Sequence, residues 1–316
     1  MLVLNAAQIS TLAPTPRLIE CLRQAFRSKW FVPARQVLSL PGGVDERLLL
    51  VMPAFEPGGG GMMKLSTVFP DNPARGVPTI QGAIVVFSES GAPIAVLDGG
   101  AVTRLRTGAA SALASSYLSR ADSSHLLIIG TGPLASSMAA AHCTVRPVTR
   151  VTVWGRNIER AVATAHTIQA VVGSGIEVLV ADALEAAVGQ ADIISCATAS
   201  TTPVLAGKWL TPGVFVDLVG SFSPAKREAD DEVVLRSRIF VDTWQGALTE
   251  AGDLLDPIAR GIITREKILG DLGELVCASV EGRTQDEEII LFKSVGSAIE
   301  DLAVANLVVA EARAKV

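Results

Sequence analysis

Between residues 35 and 97 short apolar or alternating runs recur: RQVLSL, RLLLVMPAF, MMKLSTVF, TIQGAIVVF and APIAVL. The turn signals PGG, GGGG, DNPARG and SESG separate them. Runs of this length broken by Gly, Pro, Asn and Asp fit strands joined by tight turns, so the stretch predicts an antiparallel meander. Gly58 to Gly61 reads as a flexible hairpin tip, because no strand-helix context surrounds it. From about residue 122 the rhythm changes. Continuous apolar runs (HLLIIG, RVTVWG, IEVLVA, DIISCA, VFVDLVG and RIFVDT) alternate with Ala-rich helical stretches. That pattern belongs to a doubly wound parallel sheet covered on both faces, here with six strands. A helix over 101–120 (AVTRLRTGAASALASSYLSR) joins meander to sheet, and another over 294–314 ends the chain.

Composition narrows the class. At about 150 residues per domain, 316 residues predict two domains. Charged residues make up 19%, below the roughly 25% of ordinary soluble chains, so surface hidden between subunits, and hence an oligomer, is expected. A net charge of −5 with no basic block argues against nucleic acid as a partner. The most hydrophobic C-terminal stretch, 299–310, is interrupted by Glu300, Asp301 and Asn306, and no membrane helix is expected. The first residues lack the basic, apolar and small-residue regions of a secretory signal, so a cytoplasmic location is expected. Cys21, Cys143, Cys196 and Cys277 match no metal or redox spacing and read as buried free thiols, so no metal is expected.

The sharpest motif is Gly130-Thr131-Gly132-Pro133-Leu134-Ala135, between the strand LLII and a predicted helix 134–142. Gly130 suits the tight turn, Gly132 lets a pyrophosphate approach the backbone, and Ala135 permits close packing of helix on strand. The helix start then offers N–H groups to the phosphates, which makes this half a Rossmann-type dinucleotide-binding domain. At the end of the next strand, where NAD enzymes carry Asp or Glu for the ribose, this chain has Gly155-Arg156-Asn157. A guanidinium there pairs with a 2′-phosphate, so NADPH is favoured, with NADH as the other possibility. His125, His142 and His166 follow no catalytic signature, and no serine sits in a nucleophile elbow. Three cations remain: Arg35, Lys64 inside the strand MMKLSTVF, and Arg106 inside an Ala-rich helix. Cations in apolar elements need anionic partners, and a substrate carboxylate would serve.

A series of strings then occurs in one order. It runs MPAF, Lys64-Leu65 with FPDN, GVPTIQG, VTRLRTGAASALA, GTGPLA, DLVGSFSPAKREADDEVV, EAGDL, LGELV and LFKSVGSAIEDLAVANLVV. The series covers nearly the whole chain and resembles the ornithine cyclodeaminase and mu-crystallin family. The resemblance implies a homodimer in which 1–112 and 295–316 form an α+β substrate-binding and dimerisation domain, completed by the C-terminal helix, with 113–294 as an NAD(P)-binding Rossmann domain. It implies that Arg35, Lys64 and Arg106 face the substrate carboxylate and the nicotinamide. It also implies dinucleotide contacts from Thr79, Thr107, Gly130, Gly132, Pro133, Leu134, Arg156, Thr198, Lys226, Ser294 and Val295.

One departure shapes the expected chemistry. Family cyclodeaminases carry an Asp in a string like VGGDxPGKxE, where this chain reads VGSFSPAKRE and places Phe222. Losing a general base costs on the order of 10²- to 10⁴-fold, which argues against ornithine cyclodeamination. Asp217, inside the strand VFVDLV, is a weak substitute. The loop resembles that of family members that reduce cyclic ketimines, with Arg227-Glu228-Ala229-Asp230-Asp231 as the RE-x-DD string. Reduction of Δ1-pyrroline-2-carboxylate to L-proline and of Δ1-piperideine-2-carboxylate to L-pipecolate is therefore the leading expectation, with Lys64 as proton donor or electrostatic partner and Phe222 against the substrate ring. The alternatives are an ornithine cyclodeaminase or alanine dehydrogenase-like enzyme, and a non-catalytic, crystallin-like protein that binds NADPH and a ligand.

Overall fold

The structure, a computed structural model, describes residues 1–41 and 47–315. It divides into two compact units, one of Met1–Arg106 with Ala298–Val316 and the other of Thr107–Ser297.

The first unit begins with β1 (Leu2–Leu4), α1 (Ala6–Leu12) and α2 (Thr15–Arg27). It continues through β2 (Gln36–Leu40), β3 (Arg47–Phe55), β4 (Gly61–Val68), β5 (Ile80–Phe87), β6 (Pro93–Asp98) and the start of α3 (Gly99–Leu118). Its sheet runs β1-β6-β5-β4-β3-β2. β2 to β6 are the antiparallel meander that the turn signals predict, with Gly58 at φ +74° in the β3–β4 hairpin tip. Of the predicted turn Pro41-Gly42-Gly43, the two glycines lie outside the described residues. The three-residue strand β1, parallel to β6, was not predicted.

Alternation in β3 to β5 sends Leu50, Met52, Ala54, Met62, Ile84 and Val86 into a core. α2 adds Leu18, Leu22, Ala25 and Phe26, one helical stripe, and packs on the C-terminal helix Ala298–Arg313, which also covers β3 and β4. On the other face of the sheet Leu38, Leu49, Val51, Leu65 and Ala83 lie in register across four strands. Leu38 and Leu65 there are 47% and 40% exposed.

The second unit takes up the rest of α3. It continues with β7 (His125–Ile129), α4 (Ala135–Val145), β8 (Arg150–Trp154), α5 (Ile158–Val172), β9 (Glu177–Val180), α6 (Leu184–Val188) and β10 (Ile193–Cys196). Then come β11 (Phe215–Leu218), α7 (Asp231–Arg236), β12 (Arg238–Val241), α8 (Trp244–Glu250), α9 (Gly252–Ala259), β13 (Ile268–Asp271), α10 (Leu272–Val276) and β14 (Ile290–Lys293). The C-terminal helix of the first unit is α11.

Among the described residues the second sheet has eight strands, not six, in the order β13-β12-β14-β11-β10-β7-β8-β9, every pair parallel. The two extra strands are four residues each. β13 contains a glycine, and β14 ends on a lysine just before the stretch read as helix. That helix starts at Ala298 rather than Ser294, because Asp242 Oδ2 accepts from Ser294 Oγ and from the N–H groups of Val295 and Gly296, which holds the segment out of a helix. β7 is buried along its whole length, as a central parallel strand requires. The strand order reverses between β7 and β10, the place where such sheets open a ligand crevice at their carboxyl ends.

The four cysteines are free, but the expectation that all are buried fails. Only Cys196 is buried, Cys21 and Cys143 are partly covered, and Cys277 is exposed because it caps the short helix α10 at the surface. Among the described residues no helix is long and apolar enough to cross a membrane.

Candidate active site

In the second unit the glycine turn sits at the carboxyl end of β7, as its sequence demands. Gly130 has φ +126°, and a Cβ there would lie 2.7 Å from the Ala197 carbonyl, so no other residue fits without moving the backbone. Gly132 differs: a Cβ would meet nothing nearer than 3.9 Å, which leaves the space above it for a ligand rather than for protein. α4 then begins at Ala135, buried against the sheet, with no side-chain N-cap; the Ala135 N–H turns back to the Gly132 carbonyl at 3.1 Å, and the positive end of the helix faces the glycine turn. Beside this turn lies a pocket of about 420 Å³ lined by Thr131, Gly132, Pro133, Ser136, Arg160 and Thr164.

Arg156 follows β8 and is exposed. The next residue, Asn157, starts α5 by accepting the Arg160 N–H at 2.8 Å. That places Arg160 on the first turn of α5, a second cation that the sequence reading did not single out.

The other candidates of this unit, Thr107 apart, also follow carboxyl ends of parallel strands. Thr198 comes after β10, Phe222 and Lys226 after β11, and Ser294 and Val295 after β14. Phe222 packs on the core of the unit, with Lys226 Nζ 5.5 Å from the centre of its ring. Thr107 is buried in α3.

The first unit brings Lys64 and Arg106 together. Lys64 projects from β4 and is only 3% exposed; its Nζ donates to Thr103 Oγ1 on α3 and to Asp301 Oδ1 on α11, each at 2.7 Å. Arg106 on α3 donates to Glu300 Oε2 at 2.8 Å, with its Nε 3.6 Å from Asp301. Buried cations need anionic groups to supply their partners, whatever a substrate adds. Two buried carboxylates of α11 already do so, at positions the sequence reading saw only as charges interrupting an apolar stretch. Burial pulls the Lys64 ammonium down to about 8; Asp301 works against that, while Arg106 and half-buried Arg35 add to it. The result is a lysine poised near neutrality in a charged, water-poor setting. Thr79, the remaining candidate of this unit, precedes β5 and accepts the Phe69 N–H through its carbonyl.

Histidines play no part in this arrangement. His125 is held by Gln190 O and Thr152 Oγ1, His142 by Asp217, and His166 is exposed on α5. Among the described residues no cluster of His, Cys, Asp and Glu is arranged for a metal ion.

A glycine turn at the switch point of a parallel sheet, in a chain that also buries a near-neutral lysine, defines a two-unit α/β protein of the dinucleotide-binding, Rossmann-type class. The model of the ornithine cyclodeaminase/mu-crystallin family matches residues 2–316. The chain belongs to that family. It is 40% identical over 292 residues to the Δ1-pyrroline-2-carboxylate reductase of Paracoccus denitrificans, covering 92% of this chain and 90% of that protein. The solved structure of Thermococcus litoralis Δ1-pyrroline-2-carboxylate reductase in complex with NADH and L-proline is similar with a TM-score of 0.95 at 33% identity, covering all of this chain and 98% of that one. An archaeal alanine dehydrogenase dimer with bound NAD is similar with a TM-score of 0.92 at 29% identity, over all of this chain and 97% of that one.

Proposed function

We propose that this chain reduces cyclic ketimine carboxylates with a nicotinamide cofactor, converting Δ1-pyrroline-2-carboxylate to L-proline and Δ1-piperideine-2-carboxylate to L-pipecolate. The observation that carries the reading is the Lys64 ammonium, set near neutrality by burial inside a chain that also builds a dinucleotide cradle. The relatives support it, since two of them carry the pyrroline-2-carboxylate reductase activity in their names.

The reduced nicotinamide, when bound, supplies the hydride that adds to the imine carbon. Lys64 delivers the proton that the imine nitrogen takes up, so the C=N bond becomes CH–NH with one hydride and one proton. Arg35 and Arg106 bind the substrate carboxylate, Glu300 and Asp301 pair with Arg106 and Lys64 and hold them in place, and Phe222 lies against the substrate ring. Gly130, Gly132, Pro133 and Leu134 cradle the pyrophosphate. Thr79, Thr107, Thr198, Lys226, Ser294 and Val295 complete the dinucleotide contacts. Exposed Arg156, with no carboxylate in its place, favours NADPH over NADH.

Residues 1–112 and 295–316 serve as the substrate and dimerisation domain, and 113–294 as the cofactor domain. The homodimer is supported by the apolar face of Leu38, Leu49, Val51 and Leu65, where exposed Leu38 and Leu65 suit a second copy better than water. Sedimentation equilibrium should give twice the chain mass of 32.9 kDa; a monomer at micromolar concentration removes the dimer from the reading.

The reaction itself is tested by oxidation of NADPH and of NADH with Δ1-pyrroline-2-carboxylate, beside ammonia release from L-ornithine with NAD⁺. Imine-dependent oxidation, faster with NADPH and without ammonia, is expected. Ammonia release without imine reduction overturns the proposal, and a clear preference for NADH removes Arg156 from it. A second reading, oxidation of a linear amino acid, is favoured only by the similarity to the alanine dehydrogenase, and NAD-linked oxidation of L-alanine separates it. The non-catalytic alternative leaves the buried Lys64 and Arg106 pairs without a role, because buried ion pairs are costly devices for stability alone.

A further inference from the structure

The loops at the switch point are tied together by one carboxylate. Glu228 is fully buried. Its Oε1 accepts the Thr198 N–H at 2.7 Å and the Thr198 hydroxyl at 3.0 Å, and its Oε2 accepts the N–H groups of Gly220 at 2.7 Å and Ser221 at 3.2 Å. One side chain thus joins the loop after β10 to the loop after β11. The join is close: a Cβ on Gly220 would overlap the backbone N and O of Thr198. The β10 loop in turn abuts the glycine turn, since the carbonyl of Ala197 is what excludes a Cβ at Gly130. In parallel sheets the ligand crevice opens at these carboxyl ends.

We propose that Glu228 is a positioning residue for the dinucleotide, its carboxylate clasping the β10 and β11 loops into the one arrangement that lets the crevice beside Gly130 close on the ligand. The proposal rests on the dinucleotide reading above.

The groups facing Glu228 come from four elements. Lys293 on β14 lies 3.8 Å from Oε2 and 2.9 Å from Asp253 on α9. The other oxygen of Asp253 accepts the Glu228 and Ala229 N–H groups. Cys196 on β10 stays a thiol, because burial holds it well above the usual range. Asp242 after β12 adds to the charge on that side by raising Lys293. Burial lifts Glu228 to about 7; Lys293 and the backbone N–H groups of Thr198 and Gly220 oppose the lift, and Asp253 adds to it.

Both oxygens of Glu228 face N–H donors. An amide, in either orientation, sets its NH₂ against one of them, and protonation of the carboxylate does the same with a hydroxyl. Glu228→Gln should therefore weaken binding about tenfold. The direct measurement is fluorescence titration with NADH, which has no group titrating near neutrality, on the full chain from pH 6 to pH 8. Wild type is expected to bind NADH more weakly as pH falls through about 7. Glu228→Gln is expected to bind at the weak level at every pH, with KM for the cofactor raised and kcat at saturating cofactor nearly unchanged.

A Glu228→Gln variant that binds as wild type does, or whose binding keeps the wild-type pH dependence, overturns the proposal. If that variant does not fold, a flat wild-type profile overturns it and a fall below pH 7 supports it. Wild type that binds neither NADH nor NADPH rejects the dinucleotide reading itself, and the role of Glu228 with it.

Discussion

Lys64→Met is expected to lower kcat/KM for reduction of Δ1-pyrroline-2-carboxylate by about 10²- to 10⁴-fold, the range a positioned proton donor contributes. The change also leaves Asp301 buried without its 2.7 Å partner, which costs roughly 3–5 kcal/mol when one half of a buried pair is removed. Activity could then be lost through unfolding. The double variant Lys64→Met/Asp301→Leu separates the two causes. It replaces the pair by apolar groups, an exchange that is often neutral for stability, and Arg106 keeps Glu300. Recovered thermal stability without recovered turnover is the expected outcome. Near-normal turnover in the double variant removes Lys64 from the mechanism.

The same residue sets a pH signature. With Lys64 at about 8, its protonated fraction falls as pH rises through that value. With Lys64 as the proton donor proposed for it, imine reduction is expected to decline above pH 8. Oxidation of L-proline, which needs the free amine, rises through the same range. Kinetics of the two directions check this, and the limb should be absent in Lys64→Met.

How much of this was legible beforehand follows from the range of the signals. The meander strands and the glycine turn are local: period-two alternation, turn residues and GxGxxA each act within about ten residues, and their positions are close to those in the structure. β13 and β14 are too short for periodicity to show, and β14 reaches its place between β11 and β12 only through the sheet. The carboxylate partners of the cations are further removed. Lys64 and Asp301 are 237 residues apart, and Glu228 meets Thr198 across 30. Acids inside an otherwise apolar helix, as Glu300 and Asp301 are in α11, are the one signal that could have pointed to them. An unexplained buried cation and an unexplained buried anion in one chain are each other's natural partners.

Asp217→Asn is expected to lower the melting temperature by roughly 5–10 °C while leaving kcat/KM within about twofold at temperatures below the transition. Asp217 is fully buried in β11. Its Oδ1 accepts Ser111 Oγ at 3.0 Å, and its Oδ2 accepts Ser195 Oγ at 3.0 Å and faces His142 Nε2 at 3.2 Å. Asparagine keeps the shape but removes the charge and turns one acceptor into a donor that a serine hydroxyl must reverse to meet, so the charge assistance of these contacts is lost whichever way the amide turns. Charge-assisted hydrogen bonds of this kind contribute about 1.5–3 kcal/mol, and at about 2–4 °C per kcal/mol for a unit of this size the stated drop follows. The unchanged turnover follows from the same contacts. A carboxylate enclosed by two serines and a histidine in the core reaches no substrate, and it cannot replace the acid that family cyclodeaminases carry where this chain has Phe222. Calorimetry and steady-state kinetics on the one variant decide it. A large fall in turnover with the melting temperature intact would make Asp217 a working base and reopen cyclodeamination. The opposite split makes the buried cluster a brace that ties β11 to α3, α4 and β10.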